Sequence, residues 1–260
     1  MIVDRYDAFL FDLDGVLYRG SSPVPHASVS LARLRALGKG VAFVTNNSGR
    51  PPSRVAERLR AVGVEASLEE VETSALATAS ILAGRGVERV FVVGEGGLVG
   101  ALAAAGVEVV PGEPDAVDAV VVGWDRTADY AKLRTASVLV QHGAALIATN
   151  PDPSFPAADG TAWPGAGALL AAIETTTGVR GEVIGKPFAP MLQAALERAG
   201  GGRPLLIGDR LDTDVAGAAG LGWDSMLVLT GISTRKDLPS SPVRPTYVAD
   251  DLRGLFEESS

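Results

Sequence analysis

The chain has 260 residues, a length that suits one large α/β domain or a core domain with a smaller partner. Its formal charge of −8 excludes the basic surface of a typical nucleic-acid-binding protein, and the absence of cysteine excludes disulfides, zinc–thiolate sites and cysteine nucleophiles. The two histidines, His26 and His142, lie far apart in sequence and do not by themselves make a metal site, so a bound metal would depend on carboxylates, which favours Mg²⁺ over zinc. No run approaches the roughly 18 apolar residues of a membrane helix and the first residues include acids, so we expect a cytoplasmic protein without membrane association.

Short apolar runs alternate with amphipathic stretches rich in Ala, Leu and Arg. The runs are continuous, which is typical of strands buried on both faces of a parallel sheet. In chain order, strands are predicted at residues 8–11, 41–45, 90–93, 119–122, 145–148, 183–184, 205–207 and 226–229. Helices are predicted between them at residues 28–37, 52–62, 74–82, 98–105, 130–142, 167–177 and 190–199. This alternation predicts a doubly wound α/β fold with parallel sheets.

The first polar cluster follows the first predicted strand and reads Asp12-Leu13-Asp14-Gly15. Residues two apart in a strand point to the same side, so Asp12 and Asp14 are expected to project together from the strand end. Gly15 allows a sharp turn there. Two neighbouring carboxylates repel each other unless a cation or a shared proton lies between them. For such a pair taken alone, an ordinary loop with two solvated acids is the commoner alternative.

Two further polar segments also follow predicted strands. Residues 45–48 read Thr-Asn-Asn-Ser ahead of a helix that prolines would start, and their hydroxyl, amide and N–H groups suit a bound phosphate. A simple helix cap is the alternative for this segment. Lys186 follows the strand at 183–184, where it would balance a carboxylate pair and hold phosphate oxygens. Its alternative is a solvated surface lysine.

The fourth polar cluster places three acids within a few residues after the strand at 205–207. Asp209 is expected at the strand tip, and Asp214 could support the site from the next turn. An acidic helix start favoured by the helix dipole is the alternative. All four clusters fall at or near the carboxyl ends of predicted strands, which is the edge where open α/β sheets bind ligands.

Together the four clusters resemble the motifs of the haloacid dehalogenase superfamily in type, order and approximate spacing. The segments Ala148-Thr149-Asn150-Pro151-Asp152 and Pro164-Gly165-Ala166-Gly167-Ala168-Leu169 resemble its NagD-like branch of p-nitrophenyl, nucleotide, pyridoxal phosphate and glycerol phosphate phosphatases. The resemblance implies a Rossmann-like core of residues 1–81 and 182–260. It also implies an inserted α/β cap domain of the C2 type at residues 82–181.

The resemblance also implies roles for individual residues. Asp12 would be the nucleophile that forms an aspartyl phosphate, Asp14 the general acid and base, and Lys186 the group that neutralises nucleophile and phosphate. Mg²⁺ would be held by Asp12, the backbone carbonyl of Asp14 and Asp209, with Asp214 supporting Lys186 or a metal-bound water. The residues implied to contact the substrate are Thr45, Asn46, Asn47, Asn150, Asp152 and Phe155. For Phe155, ordinary packing within the cap is the alternative.

These roles imply a Mg²⁺-dependent phosphatase acting on the phosphate monoester of a small metabolite. Dehalogenation is disfavoured, because dehalogenases of this superfamily lack an acid at the position of Asp14. A phospho-acceptor signalling module and a catalytically inactive phosphate-binding relative are the alternatives. The substrate stays open among glycerol phosphate, pyridoxal phosphate, nucleotides and sugar phosphates, and a homodimer is also left open.

Overall fold

The computed structural model describes residues 1–156 and 161–257. Within these ranges the strands are β1 (Ala8–Phe11), β2 (Tyr18–Arg19), β3 (Ser22–Pro23), β4 (Gly40–Thr45), β5 (Val71–Thr73), β6 (Arg89–Val93), β7 (Glu108–Val109), β8 (Ala119–Val122), β9 (Ala145–Ala148), β10 (Ser154–Pro156), β11 (Ala162–Pro164), β12 (Glu182–Val183), β13 (Pro204–Gly208), β14 (Asp224–Val228) and β15 (Tyr247–Ala249). The α-helices are α1 (Ala27–Ala36), α2 (Pro52–Ala61), α3 (Ser74–Gly84), α4 (Gly96–Ala104), α5 (Tyr130–Gln141), α6 (Ala166–Thr177), α7 (Ala189–Arg198) and α8 (Ala216–Gly220). Short helical segments of other types lie at Ile2–Arg5, Leu211–Val215 and Leu252–Phe256.

Local sequence signals explain where several helices begin and end. The Thr73 hydroxyl accepts a hydrogen bond from the Leu76 N–H at the start of α3, and the Asp129 carboxylate accepts one from the Lys132 N–H at the start of α5. Both bonds satisfy N–H groups that a first helical turn leaves without partners. Gly178 ends α6 with a φ of 73°, a left-handed conformation that glycine adopts readily. In the described ranges, no helix has the length and apolar character needed to cross a bilayer.

The described residues divide into two compact units. The first comprises Met1–Thr45, Pro52–Glu72 and the residues from Lys186 onward, and the second comprises Asn46–Pro51 and Thr73–Gly185. The longer segment of the second unit begins at Thr73, and the helix that follows, α3, packs against α4. It extends past residue 181 because β12 pairs with β9. The division into a core of residues 1–81 and 182–260 and a cap of residues 82–181 stays a prediction.

The first unit is built on a six-stranded sheet in the order β15–β14–β13–β1–β4–β5. The β1 strand pairs in parallel with β13 and with β4, and its last residue, Phe11, lies opposite both Ile207 and Phe43. These three side chains are fully buried in the core of the unit. The carboxyl ends of β13, β1 and β4 therefore lie at one level of the sheet, which aligns the residues that follow them.

The second unit is built on a parallel sheet in the order β12–β9–β8–β6–β7, with a separate antiparallel hairpin of β10 and β11. Val93, Val120 and Val122 are fully buried in its core. The α5 and α6 helices pack against each other beside this sheet. Two parallel α/β sheets confirm the fold class expected from the continuous apolar runs.

Candidate active site

Two of the predicted catalytic segments begin at neighbouring strand ends in the first unit. Asp12 comes directly after β1, and its N–H continues the ladder by donating to the Ile207 carbonyl at 2.8 Å. Asp209 comes directly after β13, the strand beside β1. Thr45 is the last residue of β4 on the other side of β1 and is 6% exposed. Parallel pairing thus brings Asp12 and Asp209 to the same edge of the sheet, the edge at the carboxyl ends of the strands where open α/β sheets bind ligands.

Lys186 lies between two carboxylates of this edge. Its Nζ atom is 2.5 Å from Asp12 Oδ1 and 2.7 Å from Asp214 Oδ1, and its side chain is 2% exposed. Burial by itself would lower the pKa of Lys186, but Asp12 and Asp214 outweigh burial and raise this pKa above its ordinary value. Lys186 is buried and paired with two carboxylates, so the surface-lysine alternative is wrong.

Asp12, Asp209 and Asp214 form an acidic cluster in which one carboxylate oxygen from each residue lies within 4.8 Å of the other two. Burial raises the pKa of Asp12 well above its ordinary value, Lys186 opposes this shift, and the other two aspartates add to it. Burial and the charge of Asp214 raise the pKa of Asp209 to about 6. Three close carboxylates exceed the charge of one lysine, so the cluster suits a further cation. Their hard oxygen donors fit Mg²⁺.

Glycines make room for two of these carboxylates. A Cβ atom added to Gly231 would lie 1.9 Å from Asp209 Oδ2, and one added to Gly15 would lie 2.5 Å from the same atom. A Cβ atom on Gly208 would lie 2.2 Å from the Asp214 Cβ. Such distances are far below van der Waals contact, so larger side chains at these positions would displace the acids.

The loop that follows β14 also reaches this site, although sequence reasoning missed it. The Ile232 N–H donates to Asp209 Oδ2 at 2.7 Å, and the Ser233 N–H donates to the Asp209 carbonyl at 3.0 Å. The Thr230 hydroxyl donates to the Gly15 carbonyl at 2.6 Å. The sequence did carry a signal for this loop, because the loop follows the predicted strand at residues 226–229 and open α/β sheets bind ligands at the carboxyl ends of their strands.

Asp14 lies on the turn between β1 and the β2–β3 hairpin. It is exposed to solvent, and it forms a backbone bridge with Tyr18. The Gly15 N–H closes the turn by donating to the Tyr18 carbonyl at 2.8 Å. An exposed acid two residues from Asp12 is suitably placed to exchange protons with solvent or a leaving group.

Three of the residues predicted to contact substrate lie together in the second unit. Asn46 Nδ2 donates to Asp152 Oδ2 at 3.1 Å, and Asn150 Nδ2 donates to the Asn46 carbonyl at 2.7 Å. Asn47 follows Asn46 in sequence, and its Oδ1 accepts a hydrogen bond from the Gly49 N–H at 3.0 Å. The segment after β4 and the segment after β9 are therefore tied together by side-chain amides within this unit.

Phe155 packs within the second unit. Its ring stacks on Trp124 with centroids 4.1 Å apart and an interplanar angle of 26°. Trp124 is 7% exposed and donates its indole N–H to the Pro164 carbonyl at 3.2 Å. Packing within this unit, the alternative considered for Phe155, is thus observed. A contact between Phe155 and substrate stays a prediction.

Comparison with known proteins places this geometry in a family. The model for haloacid dehalogenase-like hydrolases matches residues 9–108, and a HAD-hydrolase-like model matches residues 183–255. Acid sugar phosphatase of Staphylococcus aureus is 38% identical over 257 residues, which cover 98% of each chain. The crystal structure of glycerol phosphate phosphatase from Mycobacterium tuberculosis in complex with magnesium has 38% identity and a TM-score of 0.92, over 98% of this chain and 77% of that one. The p-nitrophenyl phosphatase from Archaeoglobus fulgidus has 34% identity and a TM-score of 0.88, over 95% of this chain and 97% of that one.

These matches span the segments that carry the four sequence motifs, and each relative is a phosphatase by name. The sequence-based resemblance is therefore confirmed. The chain belongs to the haloacid dehalogenase-like hydrolases.

Proposed function

We propose that the chain is a Mg²⁺-dependent phosphatase that hydrolyses phosphate monoesters of small molecules through a phosphorylated Asp12. One observation carries the proposal: a buried lysine is shared by Asp12 and Asp214, and Asp209 lies beside them. Phosphoryl transfer depends on positioning and charge neutralisation, and this arrangement supplies both. The magnesium-bound relative supports the choice of metal.

In the proposed reaction Asp12 attacks the phosphorus atom while the bond to the leaving oxygen breaks. Asp14 gives its proton to that oxygen, so the alcohol departs neutral. Water then attacks the phosphorus of the aspartyl phosphate while the bond between phosphorus and the Asp12 oxygen breaks. Asp14 takes the proton from the water, inorganic phosphate is released and the Asp12 carboxylate is regenerated. Lys186 offsets the negative charge that gathers around Asp12 in both steps.

The metal ligands in this proposal are Asp12, the backbone carbonyl of Asp14 and Asp209, with Asp214 acting through Lys186 or a bound water. When bound, Mg²⁺ supplies positive charge that lets a phosphate dianion approach the carboxylates. The buried Oδ2 atom of Asp209 already accepts a hydrogen bond from the Ile232 N–H. That bond orients the carboxylate before any metal arrives.

Substrate contacts are proposed for Thr45 in the first unit and for a set in the second unit that comprises Asn46, Asn47, Asn150, Asp152 and Phe155. The hydrogen bonds from Asn46 to Asp152 and from Asn150 to the Asn46 carbonyl support this proposal, because they hold the segments after β4 and β9 in a fixed arrangement. That the second unit acts as a cap also stays a prediction.

The names of the relatives favour glycerol phosphate and sugar phosphates as the first substrates to screen. The cytoplasmic location and the homodimer stay predictions as well.

Multiple turnover of p-nitrophenyl phosphate is the expected result of the first assay. EDTA should stop the turnover and added Mg²⁺ should restore it, because the acidic cluster repels the substrate without a cation. A single stoichiometric phosphorylation of the chain would favour the signalling module instead, and lack of any reaction with Mg²⁺ would favour the inactive relative. A screen of phosphorylated metabolites scored by kcat/KM then identifies the substrate.

The stabilising effect of Mg²⁺ is expected to depend on pH through Asp209. Because the pKa of Asp209 is raised to about 6, the folded metal-free protein holds this proton more tightly than the unfolded chain does. Its contribution to the free energy of unfolding therefore declines as pH rises toward that pKa. Mg²⁺ binds the ionised carboxylate, so its stabilisation is absent at low pH and grows as Asp209 ionises.

Thermal unfolding with and without Mg²⁺ measures this effect. The gain in Tm should be larger at about pH 7.5 than at about pH 5. Asp209→Asn should show a small gain at both values, because the amide neither ionises nor carries the charge that holds the metal. An equal gain at both values in the unsubstituted protein would contradict the assignment of Asp209 as a ligand.

A further inference from the structure

The loop after β14 is joined to the loop after β1 by one side chain, Thr230. Its Oγ1 atom donates to the Gly15 carbonyl at 2.6 Å, although the two residues lie far apart in the chain. Thr230 is half-buried and Gly15 is buried, so water competes poorly for this bond. A threonine hydroxyl thus holds the backbone one residue beyond Asp14.

Backbone hydrogen bonds hold both ends of the turn that carries Asp14. At one end, the Asp12 N–H donates to the Ile207 carbonyl at 2.8 Å. At the other end, the Gly15 N–H donates to the Tyr18 carbonyl and the Gly15 carbonyl accepts from Thr230, so Gly15, with a φ of +84°, is held on both of its peptide groups. The Asp14–Gly15 peptide is planar, so the position of Gly15 limits the orientations open to Asp14.

The turn that carries Asp14 and the Asp209 carboxylate are supported by different groups of the same loop. The Asp14 carbonyl, also a proposed metal ligand, lies on that turn, and a weaker hold on Mg²⁺ would lower the turnover of all substrates alike. The Thr230 hydroxyl bonds to the Gly15 carbonyl, whereas the Ile232 N–H bonds to Asp209 Oδ2. Removal of the hydroxyl alone leaves the Ile232 N–H in place. A substitution at Thr230 can therefore disturb the Asp14 turn while the hydrogen bond to Asp209 is kept.

We propose that Thr230 is a positioning residue for proton transfer, because its hydroxyl anchors the Gly15 carbonyl and so aims Asp14 at the leaving oxygen. The inference rests on the proposed function, in which Asp14 is the general acid. It assigns a task to a residue outside the four sequence motifs. It also predicts which substrates suffer when the anchor is lost.

The test compares two leaving groups in Thr230→Val. An alkoxide needs a proton from Asp14 to depart, whereas p-nitrophenolate departs readily without one. We expect kcat/KM for glycerol phosphate to fall by about tenfold and kcat/KM for p-nitrophenyl phosphate to change by less than about twofold. Thr230→Ser keeps the hydroxyl and should restore the ratio of the two values. Because kcat/KM reports the first irreversible step, slow hydrolysis of the phosphorylated enzyme does not mask the effect.

Thr234→Val is the matched control. The Thr234 hydroxyl donates to Asp237 Oδ2 at 2.8 Å on the protein surface, so its loss should leave the ratio unchanged. The ratio does not depend on the fraction of folded enzyme, and Thr230→Ala gives the same test if the valine variant is scarce. An equal fall for both substrates, or an unchanged ratio, would overturn the inference. The proposed function, rather than the role of Thr230, fails if the unsubstituted chain hydrolyses none of these substrates: glycerol phosphate, the other alkyl phosphates of the metabolite screen and p-nitrophenyl phosphate.

Discussion

Asp12→Asn is expected to lower kcat by at least about a thousandfold, because the substitution removes the proposed nucleophile. An amide oxygen does not form the acyl phosphate that the reaction requires. The change in side-chain volume is negligible, so the core around Phe11 and Ile207 stays packed. Steady-state turnover of p-nitrophenyl phosphate with Mg²⁺ measures the loss.

The same variant should keep its fold. Burial and two neighbouring aspartates raise the pKa of Asp12, which means that its ionised form is disfavoured in the metal-free protein. A neutral amide relieves that repulsion, so Tm without Mg²⁺ should equal or exceed that of the unsubstituted chain. Residual activity above a few per cent, in a sample free of unsubstituted enzyme, would refute Asp12 as the nucleophile.

Lys186→Met is expected to lower both stability and activity. It leaves Asp12 and Asp214 buried without their shared cation, and breaking a buried ion pair from one side costs about 3–5 kcal/mol. The loss of positive charge beside the phosphoryl group should also lower kcat by at least about a hundredfold. Urea unfolding without metal and steady-state kinetics with Mg²⁺ measure the two effects separately.

Lys132→Met is the matched control, because Lys132 Nζ lies 2.6 Å from an oxygen of the buried Asp125 in the second unit. It should also destabilise the protein, yet kcat per folded molecule should stay within about twofold. The double variant Lys186→Met with Asp214→Asn should recover part of the stability and none of the activity. Near-normal kcat in Lys186→Met would remove Lys186 from the proposed mechanism.

The positions of several candidate site residues could be predicted from the sequence because they depend on short stretches of the chain. A buried parallel strand appears as a short apolar run, and Asp12, Thr45 and Asp209 each mark the carboxyl end of such a run. Element boundaries were less accurate where runs are very short. The β5 strand has three residues, Val71–Thr73, and was not predicted.

The sequence by itself determined the parallel α/β class, the family motifs and the strand ends that carry the acids, because these features depend on residues close together in the chain. Only the tertiary structure decided that one buried lysine is shared by Asp12 and Asp214, which lie 174 and 28 positions from it. The hydrogen bond between Thr230 and Gly15, which lie 215 positions apart, likewise depends on the tertiary structure. Such contacts follow from the order of strands in the sheet, with β13 between β1 and β14, and that order arises when the whole core packs.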